Sequence, residues 1–562
     1  MKTLIKNGTI VDGTGAPAFT GDVLIDGDKI VEVLPISTAV GARRRTLEVP
    51  RPALGAQCGS SEVLRPALGA QCDEVIDATN KLVTPGFVDS HTHSDAYLVI
   101  EPDAPSKITQ GITTEINGQC GGSIAPRYGE ARLSSDWATL LGDKLSWRSL
   151  AEYREVFAAA KPAVNTVQFI GHNTLRSSVV GYAGRQATDD ELKRMQYLLE
   201  QSLDEGGWGL TTGLIYQPGK YSTPEEVVAL AKTAAMNGGY YATHMRSEGD
   251  RILESIDEVI ELVKATGIKA EISHLKTSGR KNWHKIDAVL EKIEKAIADG
   301  LLLGSDRYPY CAAGTDLDIV LSDWAQEGGV PAEIERIKDP AVKAKIIDEI
   351  NACDRDWSTV MIGGTWHPDN KQFSGRYVSE ILSDMSKQRR GRSPRPTNVS
   401  VGELVLSILE KDGFKTGGFF FGMSEENLAK IYSRPWIVPG SDASLRAPWG
   451  PLGADHPHPR AYATMPEFYR RVRELGFSRE ETIARMTSVP CDRFGIRNRG
   501  RIAAGAFADL VVWDEAEFKA KSTFNDPHQF TGGIELVMVN GSIPYRSGKF
   551  TGDRAGRFLE RN

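Results

Sequence analysis

Two histidines stand two residues apart at the end of a mostly apolar run near the start of the chain. The run covers residues 82–88, and His91 and His93 follow it. Alternate side chains of an extended chain point to the same side, so both imidazoles can bind one ion. Asp95, two residues further on, is placed to accept a hydrogen bond from a ring N–H of such a ligand. The pattern predicts one half of a metal site.

Other metal-ligating side chains stand where further apolar strands are expected to end. They are Cys120, His244, His274 and Asp442. The carboxyl ends of parallel strands meet at one edge of a sheet or barrel, so these side chains are expected to converge with His91 and His93. Zinc accepts imidazole, thiolate and carboxylate ligands. The sequence therefore predicts a zinc site.

The pattern of residues 83–490 predicts the fold that brings these ends together. Short apolar strands alternate with amphipathic helices, which is typical of parallel α/β units. Eight strands in this order predict an α/β fold of the (β/α)8 barrel type, with its chemistry at the carboxyl ends. Residues 311–433 exceed an ordinary loop and predict an extra helical insertion. The expected strands are residues 83–88, 113–117, 164–170, 209–212, 240–243, 269–273, 301–305 and 436–441.

The two ends of the chain have a different character. Residues 1–82 and 491–562 contain short strands separated by Asn-Gly and Asp-Gly turn signals. They predict one small β-sandwich built from both termini, with the barrel inserted between them. Residues 37–72 interrupt the first part and carry the repeat RPALGAQC twice, at 51–58 and 65–72. This segment has neither strand nor helix periodicity and predicts a disordered insertion, to which no function is assigned.

Composition limits the classes of partner. The 562 residues are 40% hydrophobic and 25% charged, with a net charge of −7, which argues against nucleic acid or anionic membranes as main partners. No apolar run approaches the roughly 20 residues that a membrane span needs. The first residues lack the features of a signal peptide. Six cysteines in so long a chain do not make a disulfide framework, so a reducing cytoplasm is expected.

Several motifs together resemble those of one family. The chain is identified as a member of the amidohydrolase superfamily, in the N-acyl-D-amino-acid deacylase (D-aminoacylase) branch. The resemblance covers nearly the whole chain outside residues 37–72. The motifs that carry it are GFVDSHTHSD, GITTEINGQCGGSIAP, GHNTLR, GLIYQPG, YATHMRSEGD, EISHLKTSG, DRYPY, GSDAS and PHPRAYAT.

The resemblance implies a division of the metal ligands. Cys120, His244 and His274 would hold a tight zinc ion, and His91 and His93, sharing Cys120 with Asp442, would make a second, weaker site. Cysteine would take the bridging position that a carboxylated lysine occupies in many other members of the superfamily. Whether one or two metals bind stays open at this point.

The chemistry follows from these parts. Zinc lowers the pKa of a bound water molecule from 15.7 to about 7, so that hydroxide is present at neutral pH and can attack an amide carbonyl. The departing nitrogen must be protonated as the C–N bond breaks. Asp442 is predicted to act as the general base and acid that takes the proton from water and returns it to the nitrogen. By the resemblance, the substrate is an N-acyl-D-amino acid.

A substrate of this kind carries a carboxylate, which calls for fixed cations and hydrogen-bond donors. Lys276, two residues after His274, is expected at the same edge. Arg376, Tyr216 and Tyr308 resemble substrate-binding positions of this branch, and a guanidinium suits a planar carboxylate. His172 is predicted to contact the metal ligands without binding the metal itself.

The residues leave alternatives open. A cyclic-amide hydrolase, similar to dihydroorotase or hydantoinase, would use the same strand ends. A catalytically inactive interaction scaffold would be expected to lack ligands, whereas here all of them are present. The preference for D over L substrates rests on the resemblance alone. The preference between neutral and acidic substrate side chains is open, although Arg307 would suit an acidic one. The oligomeric state is also open.

Overall fold

A computed structural model describes residues 1–36, 71–133, 135–390 and 399–561. The predicted disordered insertion at 37–72 lies outside these residues, apart from its last two positions. None of the helices in the described part of the chain is long and apolar enough to cross a membrane.

The described chain contains 21 strands. In order they are β1 (Lys2–Ile10), β2 (Phe19–Asp26), β3 (Lys29–Pro35), β4 (Glu74–Asp77), β5 (Leu82–Pro85), β6 (Phe87–Asp89), β7 (Ile112–Asn117), β8 (Asn165–Gln168), β9 (Ile170–Gly171), β10 (Gly209–Gly213), β11 (Tyr240–His244), β12 (Ala270–Ile272), β13 (Leu303–Arg307), β14 (Ala313–Asp316), β15 (Val360–Ile362), β16 (Gly417–Phe420), β17 (Ile437–Pro439), β18 (Leu510–Trp513), β19 (Ile534–Val539), β20 (Ser542–Arg546) and β21 (Lys549–Phe550).

The α-helices of the same described ranges lie mainly between the parallel strands and in the segment after β13. They are α1 (Tyr97–Ile100), α2 (Pro105–Ile108), α3 (Ser135–Leu141), α4 (Leu150–Ala160), α5 (His172–Val179), α6 (Asp189–Asp204), α7 (Pro224–Met236), α8 (Ile252–Thr266), α9 (Ile286–Ala298), α10 (Asp323–Gln326), α11 (Val330–Arg336), α12 (Pro340–Ala352), α13 (Val378–Arg390), α14 (Val401–Lys411), α15 (Glu425–Tyr432), α16 (Arg460–Glu474), α17 (Arg479–Met486) and α18 (Ser488–Phe494).

Parallel strands form two groups that touch at both edges. One group has the order β17-β13-β12-β11-β10-β9 and the other has the order β6-β7-β8. At one junction β8 continues into β9 across the single residue Phe169. At the other, Ser90 N donates to Pro439 O at 3.2 Å, and Thr92 forms a parallel bridge with Ala443. All strand ends that precede the candidate ligands therefore face the same way.

The helices between these strands follow from local sequence. Helix α6 begins after Thr188, whose side chain accepts from Glu191 N in a capping box. Its apolar residues recur at helical spacing, and Met195, Leu198 and Leu199 are buried in the same core as the strand residues of the parallel sheets. Helices α7, α8 and α9 likewise bury an apolar face against the strands.

The predicted first strand, residues 83–88, is divided at Gly86. Residues before it belong to β5 and those after it to β6, in two different sheets. A Cβ atom at Gly86 would lie 2.1 Å from Thr113 Oγ1, so only glycine allows the chain to pass here. The parallel strands thus begin at Phe87.

Both ends of the chain meet in one nine-stranded sheet. Its order is β21-β20-β19-β18-β5-β1-β2-β3, with β4 also paired to β1. Antiparallel pairing of β5 with β18, which places Thr84 opposite Val511, joins the two ends. Side chains alternate across the sheet: Val511 belongs to the large core of the parallel strands, whereas Leu510 and Val512 pack in a core of their own with Ile10.

The segment after β13 forms its own small core. It contains the extra helices expected there, and also an antiparallel sheet, β14-β16-β15, that the sequence did not predict. Leu317, Ile346, Ile362 and Leu404 pack together in that core. Strand β14 lies between this unit and the parallel strands, which places the insertion beside the strand ends.

Candidate metal centre and substrate cavity

The candidate ligands stand at the carboxyl ends of five parallel strands. His91 and His93 follow β6, Cys120 follows β7, His244 ends β11, His274 follows β12, and Asp442 follows β17. These are the positions at which side chains from different strands of a parallel sheet can meet.

Three of these residues share an unusual backbone conformation. Cys120, His274 and Asp442 have φ values of 52°, 39° and 50°. Left-handed backbone costs a non-glycine residue about 1–2 kcal/mol, and such residues cluster at functional sites. Each of the three turns the chain sharply just after its strand, and each side chain reaches the same cluster.

The thiol of Cys120 lies at the centre of the cluster. Its Sγ atom is 3.3 Å from His91 Nε2 and 3.4 Å from His274 Nε2. Asp442 Oδ1 lies 3.1 Å from His93 Nε2 and 3.4 Å from His91 Nε2. Ligand atoms of His91, Cys120, His274 and Asp442 lie within 4.8 Å of one another, as a shared ion requires.

His244 adjoins this cluster on its other side. The His244 and His274 rings are nearly perpendicular, with centroids 4.5 Å apart. Both ring nitrogens of His244 are buried and have no hydrogen-bond partner within the described structure, although the residue is only 4% exposed. Buried polar atoms are almost always satisfied, so an imidazole of this kind calls for a ligand. The donor set and this imidazole both fit a zinc ion.

Carboxylates behind the ligands orient the imidazoles. Asp306 Oδ2 lies 3.2 Å from His91 Nδ1, and Asp306 Oδ1 accepts a hydrogen bond from His274 N at 3.0 Å. Glu248 Oε1 lies 3.0 Å from His274 Nδ1, and Glu248 Oε2 lies 3.6 Å from His244 Nε2. Contacts at Nδ1 leave Nε2 of His91 and His274 directed at Cys120.

The charges of the cluster shift its pKa values strongly. Burial raises the pKa of the Cys120 thiol, but the neighbouring His91 and His274 outweigh it and hold that pKa well below its usual range. Burial lowers the pKa of His274, yet Glu248, Asp442 and Cys120 bring it to about 10. Negative charge that holds protons on imidazoles also attracts a divalent cation, and metal ligands must be deprotonated to bind.

Arg460 holds the other oxygen of Asp442. Its Nη1 atom donates to Asp442 Oδ2 at 2.7 Å, and its Nη2 atom donates to Gly314 O at 3.1 Å. Burial raises the pKa of Asp442, but the Arg460 guanidinium and the neighbouring imidazoles hold it well below its usual range. Asp442 is thus an oriented carboxylate.

A cavity of about 690 Å³ opens onto the cluster. At its inner end are His93, Cys120 and Asp442, and its walls include residues from the parallel strand ends and from the insertion. Its size suits a small organic substrate.

The predicted substrate-binding residues occupy different places. Tyr216 lines the cavity, with its ring 5.0 Å from that of His244. Tyr308 is buried behind the cluster, under the guanidinium of Arg460. Lys276 is also buried, and its Nζ donates to Glu248 Oε1 at 2.5 Å and lies 2.7 Å from His274 Nδ1. The lysine is therefore engaged behind His274, a candidate ligand.

Three other predicted positions pair with residues outside the set of candidate ligands in the described structure. Arg376 donates to Asp384 at 2.6 Å and is not among the residues that line the cavity. His172 Nε2 lies 2.8 Å from Glu226 Oε1. Asp95 Oδ1 accepts from Gln168 Nε2 at 2.7 Å, and its other oxygen is buried without a partner. Arg307, considered for an acidic side chain, donates to Tyr310 O and is not among the residues that line the cavity.

Sequence reasoning missed the roles of Glu248, Asp306 and Arg460. All three lie inside motifs already singled out, THMRSEGD, DRYPY and PHPRAYAT. A carboxylate at the end of β13 and another four residues after His244 were the available signals. Arg460 had no such signal, because it begins a helix 18 residues after Asp442.

The fold and this cluster of candidate ligands together are typical of a metal-dependent hydrolase. The chain belongs to the amidohydrolase family, whose family model matches residues 74–545. It is 30% identical to a D-aminoacylase of Alcaligenes xylosoxydans xylosoxydans, over 99% of this chain and 97% of that one.

Two solved structures are similar over the whole chain. One is a D-aminoacylase examined for the role of its binuclear metal centre, with 30% identity, a TM-score of 0.76, and coverage of 100% of this chain and 99% of that one. The other is the N-acyl-D-glutamate deacylase of Bordetella bronchiseptica, complexed with zinc and a phosphonate inhibitor. It shows 27% identity and a TM-score of 0.77 with the same coverage.

Proposed function

We propose that this protein is a zinc-dependent hydrolase that cleaves the amide bond of N-acyl-D-amino acids, giving a carboxylate and a free D-amino acid. The observation that carries the proposal is the meeting of His91 and His274 at the Cys120 thiol, at one end of a substrate-sized cavity. The full-length similarity to D-aminoacylase supports the choice of substrate.

We infer that the parallel strands close into a (β/α)8 barrel, within residues 83–490. The continuation of β8 into β9 and the contacts of Ser90 and Thr92, just after β6, with Pro439 and Ala443 support closure, because they join the two groups at both edges. The terminal parts, 1–82 and 491–562, would make a β-sandwich, for which the shared nine-stranded sheet and its separate core are the support. The cytoplasmic location stays a prediction.

Two groups of residues would hold metal in this proposal. Cys120, His244 and His274 would make the tighter zinc site, and His91 and His93 would share Cys120 and Asp442 in a weaker one. Zinc bound there would supply a Lewis acid for the amide carbonyl and lower the pKa of a water molecule to about 7. Glu248 and Asp306 would keep the imidazoles in the orientation that ligation needs.

Asp442 would carry the proton transfers. Its Oδ1 atom faces the cluster and its residue borders the cavity, while Arg460 fixes Oδ2. The carboxylate would accept the proton of the attacking water and return it to the departing nitrogen, which cannot leave as an anion. The fixed orientation saves the entropy of finding this geometry during the reaction.

Arg460 is the better-placed cation for the substrate carboxylate. It borders the cavity, and its Nε atom is buried without a hydrogen-bond partner in the described structure. We assign Tyr216 to the wall beside the scissile bond. Lys276, held by Glu248, would position His274, and the pairing of Arg376 with Asp384 removes that arginine from the proposal.

A cyclic-amide hydrolase is the alternative that uses the same strand ends. Cys120 stands in the cluster at the position where those enzymes would carry a carboxylated lysine. This favours hydrolysis of linear amides over hydrolysis of cyclic ones.

The test is an assay of purified protein against matched N-acetyl-D- and N-acetyl-L-amino acids, dihydroorotate and hydantoin, with zinc measured on the same sample. We expect hydrolysis of the D series and at least one zinc per chain. Hydrolysis of the cyclic amides with neither acyl series cleaved would overturn the proposal.

A further inference from the structure

The wall of the cavity that the insertion provides carries carboxylates. Asp316 ends β14, Asp318 lies in the 3-10 turn Leu317–Val320, and Glu333 lies on α11. All three border the same cavity as Asp442. We call these three carboxylates, which line the insertion's side of the cavity together with Lys415, the acidic wall.

Glu333 is buried in this wall with an unsatisfied oxygen. The residue is 4% exposed, and its Oε2 atom has no hydrogen-bond partner in the described structure. Burial and the charge of Asp316 raise the pKa of Glu333 to about 8, although Arg336 opposes the shift. Burial and the charge of Glu333 raise the pKa of Asp318 to about 7. Burial and like charge both disfavour the ionised carboxylates, so a cation bound beside Asp318 and Glu333 would stabilise them.

Arg336, whose charge acts on Glu333, and Arg132, which lines the cavity, both have other partners. Arg336 Nη1 donates to Ala325 O at 2.9 Å. Arg132 Nη1 donates to Gly328 O, and its guanidinium lies over the Tyr182 ring, 4.6 Å from the centroid. Within the described ranges neither arginine forms an ion pair with Glu333.

A metal ion does not fit this wall. In the described residues, the groups of three or more ligand atoms close enough to share an ion are both at the metal centre. Carboxylates that do not form such a group suit an organic cation, whose N–H groups point in several directions.

Strand β14 connects the acidic wall to the reacting centre. Gly314 O accepts from Arg460, which holds Asp442, and Thr315 lies against the Tyr216 hydroxyl, whose ring packs on His244. Asp316 is the next residue. A substrate bound at the metal centre would therefore extend along β14 towards Asp318 and Glu333.

We propose that Asp318 and Glu333 form a subsite for a cationic group of the substrate, an ammonium or guanidinium carried by the D-amino-acid side chain or by the acyl group. This inference rests on the proposed function, since it names the substrate class of that site. In place of a choice between neutral and acidic substrate side chains, we therefore expect the protein to prefer substrates that carry a basic group. An acidic side chain would add negative charge beside two carboxyl groups whose ionisation is already disfavoured, and a neutral one would leave Glu333 Oε2 buried without a partner.

The test compares substrates that differ in one ammonium group. Nα-acetyl-D-lysine is set against Nα-acetyl-D-norleucine, which has nearly the same shape without the charge. N-(6-aminohexanoyl)-D-leucine against N-hexanoyl-D-leucine asks whether the cation belongs to the acyl group instead. We expect kcat/KM to be about tenfold or more higher for the charged member of one pair, because a hydrogen bond to a charged group contributes that much.

Glu333→Gln keeps the side-chain shape and removes the charge, and Asp318→Asn does the same on the second element. In each variant we expect the ratio of kcat/KM for the charged over the neutral substrate to fall about tenfold, mainly through KM. The matched control is Glu335→Gln, an exposed position on the same helix paired with Lys338, which should leave the ratio unchanged.

Hydrolysis of both neutral substrates without any preference for either charged one would overturn the subsite while leaving the proposed function intact. An equal loss for charged and neutral substrates in Glu333→Gln would do the same. If no N-acyl-D-amino acid is cleaved, the proposed function fails. The subsite is then tested by ligand binding alone. Nα-acetyl-D-lysine should then still raise Tm of the wild type more than Nα-acetyl-D-norleucine does, and Glu333→Gln should abolish the difference. Equal shifts would overturn the subsite.

Discussion

Arg460 Nη1 donates to Asp442 Oδ2 at 2.7 Å, which leaves Oδ1 of the same carboxylate facing His93 and the metal cluster. The two residues come from different elements, a loop after β17 and the first position of α16. One guanidinium thereby orients the proposed proton carrier and borders the cavity where a substrate carboxylate would lie.

Replacing Arg460 should impair both functions. For Arg460→Gln we expect kcat/KM to fall about 10- to 100-fold, because a hydrogen bond to a charged group contributes about 1.5–3 kcal/mol. KM should rise and kcat should fall, which steady-state kinetics will separate. Arg470→Gln, on an exposed part of the same helix, is the control and should change neither. A fall in kcat with KM unaltered would refute the substrate-binding role.

Removing the thiol should remove the metal. Cys120→Ala is expected to lose most of its zinc and activity, since the thiolate is the ligand that the imidazoles of His91 and His274 share in this proposal. Zinc content by elemental mass spectrometry is the measurement. Cys491→Ala, at a buried cysteine in a separate apolar cluster, should keep its zinc. Full zinc and full rate in Cys120→Ala would eliminate the bridging assignment.

The buried pair of Lys276 and Glu248 should behave as a unit. Lys276→Met leaves Glu248 buried without its cation, at a cost of about 3–5 kcal/mol in the free energy of unfolding. The double variant with Glu248→Gln should recover much of that loss, because both charges are then gone. Denaturant unfolding of the two single variants and the double variant measures the coupling. Additive losses would show that the two side chains are independent.

Zinc affinity gives a second readout of the same pair. We expect Glu248→Gln to weaken zinc binding about 10- to 100-fold, as loss of a carboxylate behind a histidine ligand does elsewhere. Competition with a chelator of known affinity measures this directly. An exposed substitution, Glu261→Gln, should have no effect.

The acidic wall predicts a specific pH dependence of stability. The pKa of Glu333 is raised from 4.5 to about 8, chiefly by burial, and that of Asp318 from 3.8 to about 7 for the same reason. As pH rises, the unfolded chain therefore loses these protons at a lower pH than the folded chain does. The free energy of unfolding should fall as pH rises from about 4 to 8.

Glu333→Gln removes one of these groups and should raise Tm at pH 8 but not at pH 4. Thermal unfolding at the two pH values, in the same salt, is the measurement. Glu335→Gln serves again as the control, and a Tm gain of equal size at both pH values would contradict the assignment of the raised pKa to Glu333.

The sequence by itself determined which residue types stand at the strand ends. Histidine, cysteine and aspartate each follow a short apolar run, and strands and helices alternate between them. Since parallel strands bring their carboxyl ends to one edge, the meeting of His91, Cys120 and His274 could be predicted without coordinates. Periodicity and turn signals likewise located the terminal strands.

Only the tertiary structure decided what each side chain touches. Lys276 and Arg376 both suit a carboxylate by type, yet one is held by Glu248 and the other by Asp384. Glu248 lies 28 positions from Lys276, and Arg376 stands on irregular backbone just before α13, where no period constrains the direction of a side chain. Arg460 lies at Asp442, and Glu333 lies at the cavity, because α16 and α11 both pack beside β14. These two helices are far apart in the sequence. Such packing depends on many weak contacts summed over the whole fold, and no local pattern in the sequence records that sum.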